Sequence, residues 1–213
     1  MSRANSEWAL YSKYCDTKEK GLRKEALKIL NQFIEDINKK PFSKRVEFTN
    51  WVEERRFYDH EVIDLIPHPL QKKVIEPTLK EWSDKEPENP VPFRWINTKE
   101  SLIKAIDLDK TEQIARYRLF HKIIGWIDYN QHELEYYSYL GNPKQDLELL
   151  KLVREKIQGI NIYDPKSIFD VLEARIKICE VFIEFEKSDA FGKGKFIGYI
   201  QKSAPEFDVR KYL

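Results

Sequence analysis

Apolar residues recur at three- and four-residue steps in segment after segment of this chain, and prolines or capping residues separate the segments. This punctuated helical period constrains the fold more than any other feature, because a stripe of that spacing is one face of a helix. Between residues 19 and 40, Leu22, Ala26, Leu27, Leu30, Phe33, Ile34 and Ile37 form one stripe, with charge on the opposite face. Pro41 ends it, since proline disfavours a helical conformation in the residue before it. Ser43 is placed to cap a second helix with Val46, Trp51 and Val52 inward. From Pro69, tolerated at a first helical position, Leu70, Val74, Leu79 and Trp82 restore the spacing. Pro77 lies inside that run, lacks a backbone donor, and should kink or divide it.

The stretch EWSDKEPENPVPFRWI, residues 81–96, interrupts the pattern. Pro87, Pro90 and Pro92 are expected to stop one helix and hold an extended path to Asn97, which with Glu100 opens a short helix near a capping box. The longest run follows. Ala115, Leu119, Ile123, Trp126, Ile127 and Leu134 make one stripe and Ile114, Tyr117, His121 and Ile124 a second, the mark of a helix central to a bundle. Gly141 is expected to close it. Asn142-Pro143 and Asp164-Pro165 each pair a capping residue with a first-turn proline and head two further helices. No hairpin dipeptide sits between alternating runs, and no βαβ rhythm is present.

The expected fold is all-α: a bundle or irregular α-α array of about seven or eight helices with short connections. Residues 1–187 are expected to form a single helical domain. Residues 188–213 should be a basic, aromatic extension, loosely attached or paired as a short hairpin, in which Gly192, Gly194, Gly198 and Pro205 mix with lysines.

Composition excludes several classes of function. The chain has 37 basic and 36 acidic side chains, so no global field attracts nucleic acid or an anionic membrane. Cys15 and Cys179 stand far apart without metal-binding or disulfide spacing. No stretch approaches the roughly 18 apolar residues of a membrane span, and the first residues lack an apolar signal core. A soluble, cytoplasmic protein with no membrane partner is the expectation.

Within SLIKAIDLDKTEQIAR, Ala105, Leu108 and Asp109 match the second helix of a tetratricopeptide repeat as it runs into the next unit. The segment resembles that family, although Lys110 stands where the turn proline belongs and no first helix precedes it. A true array would repeat at about 34 residues over three or more units; here a single partial unit is present. The order ENP, PFRW, short helix, long helix and LGNPKQDLEL, over residues 67–150, also resembles a group of small bacterial helical proteins. That resemblance implies no established activity. Bacterial helical proteins of this size include immunity proteins that neutralise a cognate toxin, and such a role is what the resemblance implies.

Two kinds of site can be picked out. His121, Asp128 and His132 fall seven and four residues apart on one helix face, and with Glu135 they offer the imidazole and carboxylate ligands of a divalent metal. Against this, neither HExxH nor a twin Glu-x-x-His pattern is present, so no metal and no cofactor is expected. His60 and His68 flank a proline-containing turn and are explained by it. The second kind is aromatic. Five Trp, eleven Tyr and twelve Phe make up 13% of the chain, and Tyr, Trp and Arg dominate interface hot spots. Phe93, Arg94 and Trp95, with Tyr136, Tyr137 and Tyr139, are the leading partner-contact candidates. The favoured reading is a non-catalytic protein that binds another protein, as an immunity or adaptor module, with a toxin as one such partner. A metal-dependent, hydrolase-like enzyme on His121, Asp128 and His132 is one alternative. Another is a nucleic-acid binder acting through the tail; from Lys187 onward six basic residues stand against three acidic and accompany the glycine-rich FGKGKFIGY.

Overall fold

The computed structural model describes residues 8–58, 66–134, 138–191 and 195–212. Among these it is 77% helix, contains no strand, and has ten helices rather than seven or eight. The chain divides into two compact units, Met1–Ile96 and Asn97–Leu213; residue 188, the expected boundary of a tail, falls inside the second.

In the first unit, α1 (Ala9–Glu19), α2 (Arg23–Asn38) and α3 (Phe42–Tyr58) enclose a core of aromatic rings. Tyr11 lies 5.4 Å from Phe33 and 5.2 Å from Phe48, and Trp8 5.2 Å from Phe48. Trp8, Tyr11 and Phe48 are almost wholly enclosed. Burial of each such ring contributes about 1.5–3 kcal/mol, enough to order α1, whose own polar-rich sequence carries no clear stripe. Gly21, at φ +76°, turns the chain between α1 and α2, a left-handed conformation that glycine adopts without steric cost. Ser43 is not a cap: α3 starts at Phe42, and the Pro41 carbonyl accepts from the Lys44 and Arg45 amides.

Pro77 does not end its helix, but the α-helical form is interrupted just ahead of it, as the proline led one to expect. α4 runs continuously over residues 68–85, because Gln71–Ile75 adopts a wider π-helical turn just before the proline. In an unbroken α-helix the ring of Pro77 would strike the carbonyl of Lys73, which would also lose its donor. Here Asn38 Nδ2, from α2, donates to that carbonyl at 3.3 Å. The three prolines likewise do not hold an extended path. Pro90–Ile96 is a helix, α5, in which Pro90 and Pro92 occupy a first turn that has no use for their missing N–H groups. Asn89 Oδ1 accepts from the Val91 amide at 3.0 Å and starts it.

The second unit opens with α6 (Lys99–Leu108), where the capping box is displaced by one residue from the expected position. Thr98 is the cap, paired reciprocally with Ser101 at 2.9 and 3.1 Å, while Asn97 takes φ +60° as the turn residue before it. α7 (Gln113–Gln131) is capped by Glu112, whose side chain accepts from Ile114 and Ala115. α8 (Pro143–Lys156) and α9 (Pro165–Lys187) begin as expected, with Asn142 and Asp164 as caps. The end of the chain is no loose tail or hairpin. α10 (Phe196–Ser203) buries Phe196, Ile197 and Ile200. Its rings pack on α9, with Phe196 5.1 Å from Phe182 and Tyr199 5.1 Å from Phe185.

Candidate functional site

α7 is held in the second unit from both flanks by a buried polar cluster. On one flank, Asp146 of α8 accepts at Oδ2 from Asn130 Nδ2 and from the Tyr139 hydroxyl, both at 2.7 Å, and at Oδ1 from Trp126 Nε1 at 3.4 Å. On the other, Arg175 of α9 pairs with Asp128 at 2.6 Å and donates to Gln131 Oε1 at 3.0 Å. Gln131 Nε2 and the Tyr139 hydroxyl both approach Cys179 Sγ at 3.3 Å. Asn130, Gln131, Tyr139, Asp146 and Cys179 are buried, and a buried network of this kind fixes geometry because each group's desolvation is offset only in one arrangement. Burial pushes the Cys179 thiol up to about 11 and raises the Tyr139 phenol, and it lowers the Arg175 guanidinium. Cys15 is likewise raised to about 11 by burial. Both thiols therefore remain protonated near neutrality, which does not suit a nucleophile.

Gly141 does not terminate α7, which stops at Gln131. It lies instead where a Cβ would meet Asn130, with Asn130 Cγ 2.7 Å away and Asp146 Oδ2 at 3.1 Å. The glycine lets the segment after α7 fold back onto the cluster, and the Leu140 amide bonds to the Asn130 carbonyl at 2.9 Å.

Above this cluster the outer face of α7 is open. Trp126 is 55% and Tyr129 62% exposed, one turn apart, and Leu140 is 46% exposed beside the end of the helix. Trp126 does not belong to the inward stripe, as its spacing suggested; it sits at the border of that stripe, and its indole is anchored at one atom by Asp146. Gly125, next to it, is exposed, and among the described residues nothing lies within 4 Å of where its Cβ would be.

The expected contact residues fare differently. Phe93, Trp95 and Tyr139 are buried at 8%, 3% and 9% exposure. Trp95 Nε1 donates to Asn50 Oδ1 at 2.8 Å, and Arg94 stacks on Trp95 at 4.6 Å while pairing with Glu54 at 3.2 Å. In α5, Arg94 and Trp95 therefore serve as a joint with α3, and Phe93 is buried beside them. Tyr136 and Tyr137 lie outside the described residues, as do His60, Glu135, Gly192 and Gly194.

His121, Asp128 and His132 each engage a different neighbour. His121 lies exposed against Tyr117, ring centroids 4.2 Å apart, and desolvation lowers its pKa. Asp128 pairs with Arg175. His132 Nδ1 is 2.6 Å from the Tyr129 carbonyl and Nε2 3.1 Å from Glu133. Among the described residues no three His, Cys, Asp or Glu side chains form a metal-holding group, and no helix is long and apolar enough to cross a membrane.

Compared with protein-family models, curated proteins and solved structures, the chain matches none. Trp126 and Tyr129 are thus assigned from geometry alone. Their signal in the sequence was faint. Tyr129 lies outside both stripes of α7, and Gly125 interrupts a helix where no turn is needed.

Proposed function

We propose that the protein works by binding another protein, through the outer face of α7 around Trp126 and Tyr129. What carries the reading is two large aromatic side chains, exposed one turn apart, on a helix fixed from beneath by the Asn130, Asp146 and Tyr139 hydrogen bonds. Single exposed apolar residues are ordinary. An adjacent pair on a rigid support has the character of an interface anchor, because it gains buried area without losing much side-chain freedom. An immunity or adaptor role is the finer form of this reading, drawn from the resemblance of residues 67–150 to small bacterial helical proteins.

A photo-crosslinking residue placed at Tyr129 tests it in cells that make the protein. A discrete adduct is expected, and it should disappear when Trp126→Ala is added. Adducts identical to those from the same probe at Leu27, exposed on α2, would overturn the assignment.

A further inference from the structure

Thr49 of α3 and Thr78 of α4 are 0% and 1% exposed, and among the described residues neither hydroxyl has a hydrogen-bond partner. Thr17 of α1 shows the usual arrangement for a helical threonine, donating to the Lys13 carbonyl at 2.7 Å. The two hydroxyls belong to one place. Lys85 Nζ lies 4.2 Å from the centre of the Phe42 ring, and Arg45 pairs with Glu81 at 2.8 Å. One turn forward along α3 thus goes with one turn back along α4, so the helices run antiparallel, and the next turn brings Thr49 level with Thr78. A buried hydroxyl without a partner has given up its bonds to water and gained none. The closed contact carries that cost twice.

Other bonds across the same region are ones that water can replace. Arg94 and Trp95 of α5 hold Glu54 and Asn50 of α3, and the Asn38 bond to the Lys73 carbonyl is exposed. α5 is also tied to α4 through Glu86, which accepts from Trp82 Nε1 at 2.9 Å and from Asn89 Nδ2 at 2.7 Å. Burial of Val74, Leu79 and Trp82 opposes separation and keeps the contact closed most of the time. We propose that the contact between α3 and α4 is a seam at which the first unit opens. α4 and α5 lift from α3 together, as a minor state of the native protein, and both threonine hydroxyls are hydrated in that state. α1, α2 and α3 stay joined through the rings of Tyr11, Phe33 and Phe48.

Native-state hydrogen exchange on the full chain, followed residue by residue over low denaturant concentrations, tests the seam. Short helices detached from their support unwind readily, so the amides of Leu79 and Trp95 should exchange together, at least tenfold faster than those of Leu30 and Val52. Their rates should depend more weakly on denaturant, since opening exposes less surface than unfolding. Thr49→Val and Thr78→Val keep the branched shape and remove the hydroxyl. Each should slow exchange at Leu79 about tenfold, and the two effects should multiply in the double variant. Exchange of α4 only in step with α2, through global unfolding, overturns the proposal. So does a valine variant in which Leu79 exchanges as fast as before, or faster, the result expected if an internal water already satisfies the hydroxyl.

Discussion

Gly141 shows what one side chain's absence does. The segment after α7 reaches Asn130 and Asp146 only because no Cβ intervenes. Asn130 cannot simply swing aside, since its amide is already pinned to Asp146 at 2.7 Å. Gly141→Ala should therefore destabilise the second unit by about 1–3 kcal/mol, the usual range for overpacking a filled site. Denaturant titration measures this, and the indole of Trp126 should become more mobile in the same variant. From sequence, glycine after a long helical run reads as a helix end. The close approach it permits depends on a residue eleven positions earlier and on another helix, neither of which local spacing records. The same limit hid Tyr139, which looked like a surface anchor but closes a buried hydrogen-bond cluster. His121, Asp128 and His132 were grouped by spacing alone, and each engages a different neighbour, with His132 just beyond the end of α7.

At the scale of elements, caps were the most legible feature. Asn142 and Asp164 begin α8 and α9 where the cap-proline pairs placed them, because a cap acts through bonds to amides two or three residues away. Elements stabilised by distant rings were missed. α1 depends on Phe33 and Phe48, and α10 on Phe182 and Phe185, so neither is written strongly in its own residues. Three prolines in six residues suggested an extended joint at 87–92, but two of them fit the first turn of α5. For α7, Gly125→Ala should raise stability by about 0.5–1 kcal/mol, since alanine loses less backbone freedom and the added methyl meets nothing among the described residues. The melting temperature measures that gain.

The whole molecule should have a stability maximum bounded by two sets of ionisations. Asp107, bonded to Lys156 and Lys110, and Glu81, bonded to Lys85 and Arg45, are both held below the ordinary carboxylate range. Their stabilisation is present above the unfolded carboxylate pKa and is lost as pH falls through the depressed folded values. Asp107 is exposed and Glu81 half-buried at the surface, so salt should screen the effect. At the other end, the buried thiols of Cys15 and Cys179 are raised to about 11. Their contribution is complete below the unfolded thiol value of about 8.5 and is lost as pH rises through about 11. Melting measured from acid to alkaline pH should trace this profile, and Cys179→Ser should flatten its alkaline limb. The near-equal count of basic and acidic residues, 37 and 36, forbids a large field without determining where single charges lie.

The π turn of α4 carries a consequence of a genetic kind. Such a turn is what a chain looks like after gaining one residue within a helix without losing the helix. Deletion of a single codon between Gln71 and Ile75 would restore ordinary helical phase. Everything downstream would then rotate by about 100°, carrying Leu79 and Trp82 away from the core and setting the ring of Pro77 against an unyielding carbonyl. A one-codon insertion in the same five positions is the milder event, because this is where the helix already accommodates slack. Length variation among descendants of this gene should therefore be asymmetric at α4, with gains tolerated and losses purged.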